Sequence, residues 1–195
     1  MSTPGADKVA LRRAVLAQRD ALPASEREAL GRRVTACLLS QPAVLNARRA
    51  LVYLSFGSEF DTAPAIAWLR GRGVTIVLPR VEREPRGLVL HEVADPQTDL
   101  APGVWGIREP VSARCPRVER ESVDLVLAPG VAFTPDGGRL GYGGGFYDRL
   151  LADWPGRPPI LAAAFDMQVL DELPLAAHDV PVDAVVTESR VLFRG

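Results

Sequence analysis

Hydrophobic positions change their spacing along this chain, and the changes mark its elements. Over the first forty residues they recur every three or four places, which predicts two helices, with Leu30, Val34 and Leu38 forming the stripe of the second. Ser25 followed three places later by Glu28 fits a capping box at that helix's start. The spacing then shortens. Arg49–Phe56 (RALVYLSF) and Val74–Val81 (VTIVLPRV) predict strands flanking a helix over Thr62–Arg72, a βαβ unit whose strands pair in parallel. Leu88–Val93 predicts a further strand, Val123–Ala128 a buried one, and Pro159–Phe165 and Val182–Thr187 complete the set. Between Asp95 and Glu121 the chain is rich in Pro and Arg and shows no period; an irregular connection of that length in a compact domain is usually functional. The order of elements predicts an α/β fold of three layers, α/β/α, around a Rossmann-like, largely parallel sheet, in one domain spanning 1–195.

Composition narrows the function. With 195 residues, 47% hydrophobic and 24% charged, the chain can bury one proper core. A formal net charge of -1, with 23 basic residues and no dense basic block, offers nothing general to nucleic acid or to an anionic membrane. No apolar run approaches membrane-spanning length, and Met1–Ala6 lacks the apolar stretch of a signal peptide. Cys37 and Cys115 are too few for a disulfide framework and lack metal-ligand spacing, so a cytoplasmic protein with reduced thiols is expected, and a monomer is the simplest assembly.

One segment departs from all of this. Arg139-Leu140-Gly141-Tyr142-Gly143-Gly144-Gly145-Phe146-Tyr147-Asp148-Arg149 sets four glycines directly before a helical pattern that runs to about Trp154. Glycines let backbone approach a ligand closely, and the unpaired N–H groups of a helix start favour negative charge, so the segment suits a polyphosphate. It matches neither the Walker pattern nor a clean GxGxxG fingerprint. Arg139 and Arg149 add cationic donors, and Asp148 adds a carboxylate beside the phosphate cradle, which suits Mg2+. Pro135-Asp136-Gly137-Gly138 just upstream is a strong turn signal that delivers Arg139 to the cradle.

The stretch Ala128–Leu151 (APGVAFTPDGGRLGYGGGFYDRLL) resembles the signature of the 5-formyltetrahydrofolate cyclo-ligase, or methenyltetrahydrofolate synthetase, family. Further similar segments follow the family's order: KVALR at 8–12, LSFGSEFDT at 54–62, LPRV at 78–81, GVWGIREP at 103–110 and HDVPVDAVVTE at 178–188. Phe146 stands where the family usually carries Tyr. The resemblance implies an ATP- and Mg2+-dependent enzyme acting on 5-formyltetrahydrofolate. It implies ATP contacts from Lys8, Arg12, Arg139, Leu140, Gly141, Tyr142, Gly143, Gly144, Gly145, Phe146 and Tyr147, with Arg139, Lys8 and Arg12 catalytic. It implies a folate pocket of Leu54, Phe56, Glu59 and Trp105 together with residues 142–146 of the glycine loop, and Mg2+ ligands Asp148 and Asp179.

Several of these residues also have plainer readings. Lys8 and Arg12, four apart on a helix, share a face that is by itself only a solvated cationic one. Glu59 lies in a loop where Asp61 or Thr62 caps the next helix; as a pterin contact it would accept two hydrogen bonds. Trp105 either anchors its loop or stacks on the folate, and Tyr147 can simply pack inward. His178, His91 and Asp183 read as structural, and Arg13 and Arg19 as surface residues. Two other functions stay open: a non-catalytic nucleotide-binding member of the family, and a sugar-phosphate isomerase-like enzyme on a related fold.

Overall fold

The computed structural model describes residues 4–195. Its elements run α1 (Pro4–Asp20), α2 (Ala24–Leu39), α3 (Pro42–Leu45), β1 (Arg49–Leu51), α4 (Ala63–Gly71), β2 (Thr75–Arg83), β3 (Arg86–Val93), β4 (Leu100–Pro102), β5 (Arg108–Pro110), β6 (Arg117–Val118), β7 (Leu125–Leu127), β8 (Ala132–Phe133), β9 (Arg139–Leu140), α5 (Phe146–Leu151), β10 (Ile160–Ala163), β11 (Ala184–Val186) and β12 (Val191–Phe193). Eight strands form one sheet in the order β12-β11-β10-β7-β1-β2-β3-β6. Its centre, from β11 through β2, is parallel throughout, and antiparallel strands close both sides. The unit β1–α4–β2 pairs Ala50 with Ile76 and Leu51 with Val77, as the βαβ pattern predicts. Among the described residues no helix is long and apolar enough to cross a membrane.

Each central strand is apolar on both faces because it is covered on both. Successive residues alternate between two cores. Ala50, Ile76, Leu125, Leu127, Leu161 and Val186 meet Val34 and Leu38 of α2 and Ile66 and Leu69 of α4. Their neighbours Leu51, Val77, Val126, Ile160, Ala162 and Val185 meet Leu151 at the end of α5 and Trp154 beyond it. Helix α1 stands apart from both, packing Val15 on Val131, Ala132 and Leu140.

Three expectations are corrected. Helix α2 has no side-chain cap: Pro23 precedes it at φ -55° and takes the N-cap position two residues ahead of Ser25, which lies inside the first turn. Glu28 turns instead to Arg32, 2.7 Å away on the next turn. The helix after the glycines ends at Leu151, where Arg120 takes the carbonyls of Leu150, Ala152 and Asp153 at 2.8, 2.9 and 2.7 Å and Asp153 turns to φ +47°. The connection 95–121 contains the β4/β5 hairpin and β6.

The turn Pro135–Gly138 joins β8 to β9 as expected. Gly137 sits at φ +87°, and a Cβ there would lie 2.2 Å from the Val182 carbonyl oxygen. Gly137→Ala therefore combines backbone strain with a backbone clash, and should lower unfolding stability by roughly 2–4 kcal/mol, read from urea denaturation midpoints.

Candidate active site

Loops leaving the carboxyl ends of β1 and β7 face a cavity of about 510 Å³, the position at which open parallel sheets hold ligands. Its floor is Leu78, Pro79 and Val81 of β2 with Leu88 of β3; Leu54, Phe56 and Glu59 form one wall, and Arg139 with Gly141, Tyr142 and residues 144–148 supplies another, Gly143 lying outside the lining. Val104, Ile107, Arg108 and Glu109 of the β4/β5 hairpin close the cavity. The hairpin's 3-10 turn carries Trp105, whose side chain lies outside the described residues.

Glu59 is fixed from two sides. Tyr142 donates to its Oε1 at 2.6 Å and the Phe56 N–H to its Oε2 at 2.9 Å. Burial pushes the Glu59 carboxyl above its usual range, against these hydrogen bonds and the nearby charge of Arg19. Phe56 lies 5.1 Å from the Tyr142 ring, centroid to centroid. Arg19 is a correction to the sequence reading, since it is 2% exposed rather than a surface residue. It donates to Ser58 Oγ and to Tyr142 OH, both at 2.9 Å, and Ser58 in turn bonds Asp20. A signal for it existed: Lys8, Arg12, Val15 and Arg19 are spaced 4, 3 and 4 along one helical face.

That face also carries Arg12 to the glycine loop and Lys8 to Asp179. Arg12 donates from Nε to the Gly141 carbonyl at 2.6 Å, and Arg149 donates to the Gly144 carbonyl at 2.9 Å. The N–H groups of residues 141–145 meet no acceptor among the described contacts, so the loop turns occupied carbonyls one way and offers free donors. Gly143 and Gly145 hold φ +97° and +63° to make that shape. Lys8 lies 2.5 Å from Asp179 Oδ2. Burial pushes the Asp179 carboxyl up, but the bonds from Lys8 and from the Ala176 N–H outweigh it and hold the group below its usual range. Lys8, Arg12 and Asp179 do not line the cavity; Arg12 meets the loop from α1, and Lys8 meets Asp179 in the segment before β11.

Arg139 and Asp148 join the two regions. Arg139 is 4% exposed, and its Nη2 donates to Asp148 Oδ1 at 2.6 Å. The same oxygen accepts from the Val180 N–H at 3.1 Å, which ties Asp148 to the Asp179 segment. Burial lowers the guanidinium's pKa, opposed by Asp148, Tyr147 and Asp179. Among the described residues Arg139 Nε and Tyr147 OH are buried without a hydrogen-bond partner, and an unmet polar cost of this kind collects where ligands bind. Tyr147 does pack inward, 5.9 Å from the Arg139 guanidinium. Phe146 lies between the guanidinium groups of Arg86 and Arg149, each 5.1 Å from its ring centre. His178 stays exposed beside Asp179, and buried His91 bonds the Cys115 carbonyl at 2.8 Å. Asp183 holds Arg157 at 2.6 and 2.8 Å and accepts from the Ile160 N–H, a structural role. Besides Arg19, the sequence reading did not single out Glu109, which is buried in the cavity wall.

A family model described as the 5-formyltetrahydrofolate cyclo-ligase family matches residues 4–188. The chain belongs to that family. It is 34% identical to the 5-formyltetrahydrofolate cyclo-ligase of Escherichia coli strain K12 over 175 residues, covering 89% of this chain and 96% of that one. To the Mycolicibacterium smegmatis enzyme of the same name it is 30% identical, covering 94% of each. The NMR structure of Aquifex aeolicus 5,10-methenyltetrahydrofolate synthetase superposes with a TM-score of 0.84 at 36% identity, over 96% of this chain and 92% of that one. The layered, largely parallel architecture is therefore that of the family.

The buried state of Glu59 has a measurable sign. Its folded pKa lies above the unfolded value of 4.5, so its contribution to stability is full below that pH and is lost as pH rises through the folded pKa. Glu59→Gln lacks this titration. The stability of the variant relative to the parent should shift in the variant's favour between pH 4 and pH 7, read as the difference between their melting temperatures.

Proposed function

We propose that this protein converts 5-formyltetrahydrofolate to 5,10-methenyltetrahydrofolate at the expense of ATP, releasing ADP and phosphate. The observation that carries the reading is the joining of two chemically different regions at Arg139 and Asp148: a mostly apolar cavity with a fixed carboxylate, and a loop with free N–H donors beside Lys8 and Arg12. Glu59 can accept hydrogen bonds from the amino group and adjacent nitrogen of a pterin, while Leu54, Phe56 and Tyr142 bound its flat ring. The glycine-loop amides, Lys8, Arg12 and Arg139 can hold the phosphate chain.

The formyl oxygen is a poor leaving group. It attacks the γ-phosphorus, the bond to the ADP oxygen breaks, and the oxygen becomes part of a phosphate ester. N10 then bonds to the activated carbon, the carbon–oxygen bond breaks and phosphate leaves. Phosphoryl transfer asks chiefly for alignment and neutralised charge, which the cations around the loop supply without a covalent nucleophile.

The residues fit Mg2+ of the kind that phosphate brings with it. Among the described residues no three His, Cys, Asp or Glu side chains gather into a cage. Asp148 and Asp179 instead present two carboxylates on adjoining segments, and Mg2+ characteristically takes one or two of these with phosphate oxygens and water. When bound there, the ion would neutralise phosphate charge and orient the γ-phosphoryl group.

Incubation with 5-formyltetrahydrofolate, ATP and Mg2+ should produce methenyl absorbance, and absorbance growth that ignores ATP would sink the proposal. Asp148→Asn strands the buried Arg139 guanidinium, so Asp179→Asn is the cleaner probe of the metal. It should raise the Mg2+ concentration needed for half-maximal rate by on the order of tenfold or more. Arg139→Lys keeps charge and loses the planar fork; turnover should fall on the order of a hundredfold, about 3 kcal/mol, with the ATP KM nearly unchanged. Steady-state kinetics check both.

A further inference from the structure

Glu109 is the second buried carboxylate of the cavity, and the reaction as described gives it no task. It sits on β5, 8% exposed, in the hairpin that closes the site. Among the described contacts its carboxylate receives one hydrogen bond, from the Val81 N–H to Oε1 at 3.4 Å, near the limit of such a bond. The nearby cations are occupied elsewhere. Arg108 turns to the carbonyls of Gln97 and Leu100, at 3.3 and 3.4 Å, and Arg80 donates to the Pro110 carbonyl at 2.8 Å.

The fold makes a place for this group. A Cβ at Gly103 would come within 2.4 Å of Glu109 Cδ, so a larger residue there would evict the side chain. Glu59 differs, since both of its oxygens are already engaged. An acidic side chain held in a mostly apolar cavity without a counterion is costly, and such a cost is retained where a ligand or a reaction meets it.

Ring closure creates what Glu109 lacks. N10 enters carrying a hydrogen and leaves without it. Its lone pair forms the bond to the formyl carbon, and the carbon–oxygen pair departs with phosphate. The N–H pair then joins the N5–C–N10 system as the proton leaves. A ring that was uncharged becomes an amidinium cation. The other groups lining the cavity are poorer receivers for that proton: Glu59 already accepts from Tyr142 and from the Phe56 N–H, Arg108 and Arg139 are cations, and Asp148 is paired with Arg139. Burial raises the pKa of Tyr53, Tyr142 and Tyr147, so these hydroxyls keep their own protons.

We propose that Glu109 accepts the proton N10 loses, and that a carboxylate in this position offsets the charge growing on the ring. A carboxylic acid suits a weakly basic arylamine, because proton transfer is most effective between groups of similar affinity. The proposal rests on the cyclo-ligase reading of the site.

The test follows ADP release and methenyl absorbance separately, at saturating ATP and Mg2+, in the parent chain and in Glu109→Gln and Glu109→Asp. The Gln variant should lose turnover on the order of a hundredfold or more, with its folate KM within threefold and its melting temperature unchanged. Its first turnover should still release ADP, since phosphoryl transfer precedes the proton's departure. The Asp variant, which restores an acceptor one methylene short, should regain at least a tenfold part of the loss. Turnover in the Gln variant within threefold of the parent, a raised KM with turnover intact, or an Asp variant no better than Gln would each overturn the assignment. A loss of fold common to both variants would overturn it too and make Glu109 structural. A parent chain that forms no methenyl product would bring down the cyclo-ligase reading as well; an active parent confines any failure to Glu109.

Discussion

A guanidinium removed from water must find acceptors, and Arg19 is almost wholly removed. The acceptors it finds, Ser58 Oγ and Tyr142 OH, belong to the loop after β1 and to the glycine loop. Tyr142 passes the connection to Glu59, so one buried charge locks α1, the wall of the cavity and the glycine loop into a single arrangement. The apolar contacts of helix α1, through Leu11, Val15 and Leu16, form a small cluster separate from the two main cores. Polar contacts, which are directional, add to this packing, and this is how Arg12 comes to meet the glycine loop and Lys8 to meet Asp179.

Arg139 repeats the principle at the other end of the site. Its charge is compensated by Asp148, and Asp148 is held by the Val180 N–H, so the segment bearing Asp179 is placed by the same pairing. Loss of either partner leaves the other buried without compensation, which is why substitutions here test structure and chemistry together. The Lys8–Asp179 pair buries its cation less deeply, with side-chain exposures of 16% and 12% against 2% for Arg139.

The central strands were legible because both faces are covered: the apolar runs over residues 76–78 and 125–128 leave little choice of structure. The capping box at Ser25 failed because Pro23 set the helix start first, a local competition that motif spacing does not register. The β4/β5 hairpin was hidden, since three-residue strands that end in Pro102 and Pro110 carry too short a pattern to show a period. Glu109 was hidden with it. Among the site residues, those in the glycine segment could be read from type and spacing, and the resemblance added Glu59. Arg19 escaped because a charged residue on a polar helix looks solvated until its partners, 39 and 123 positions away, are known.

Those separations bear on the order in which the molecule is made. Arg12 waits for Gly141, 129 residues downstream, and Lys8 waits for Asp179, 171 residues downstream. During synthesis the first helix emerges long before the segments that give its charges a destination, while β1, α4 and β2 can already pack as a local unit. Contacts between such distant residues carry the largest loop-closure cost and form slowly. The end of the molecule where α1 meets the glycine loop is thus among the last regions to assemble, completed only after most of the sheet has been laid down.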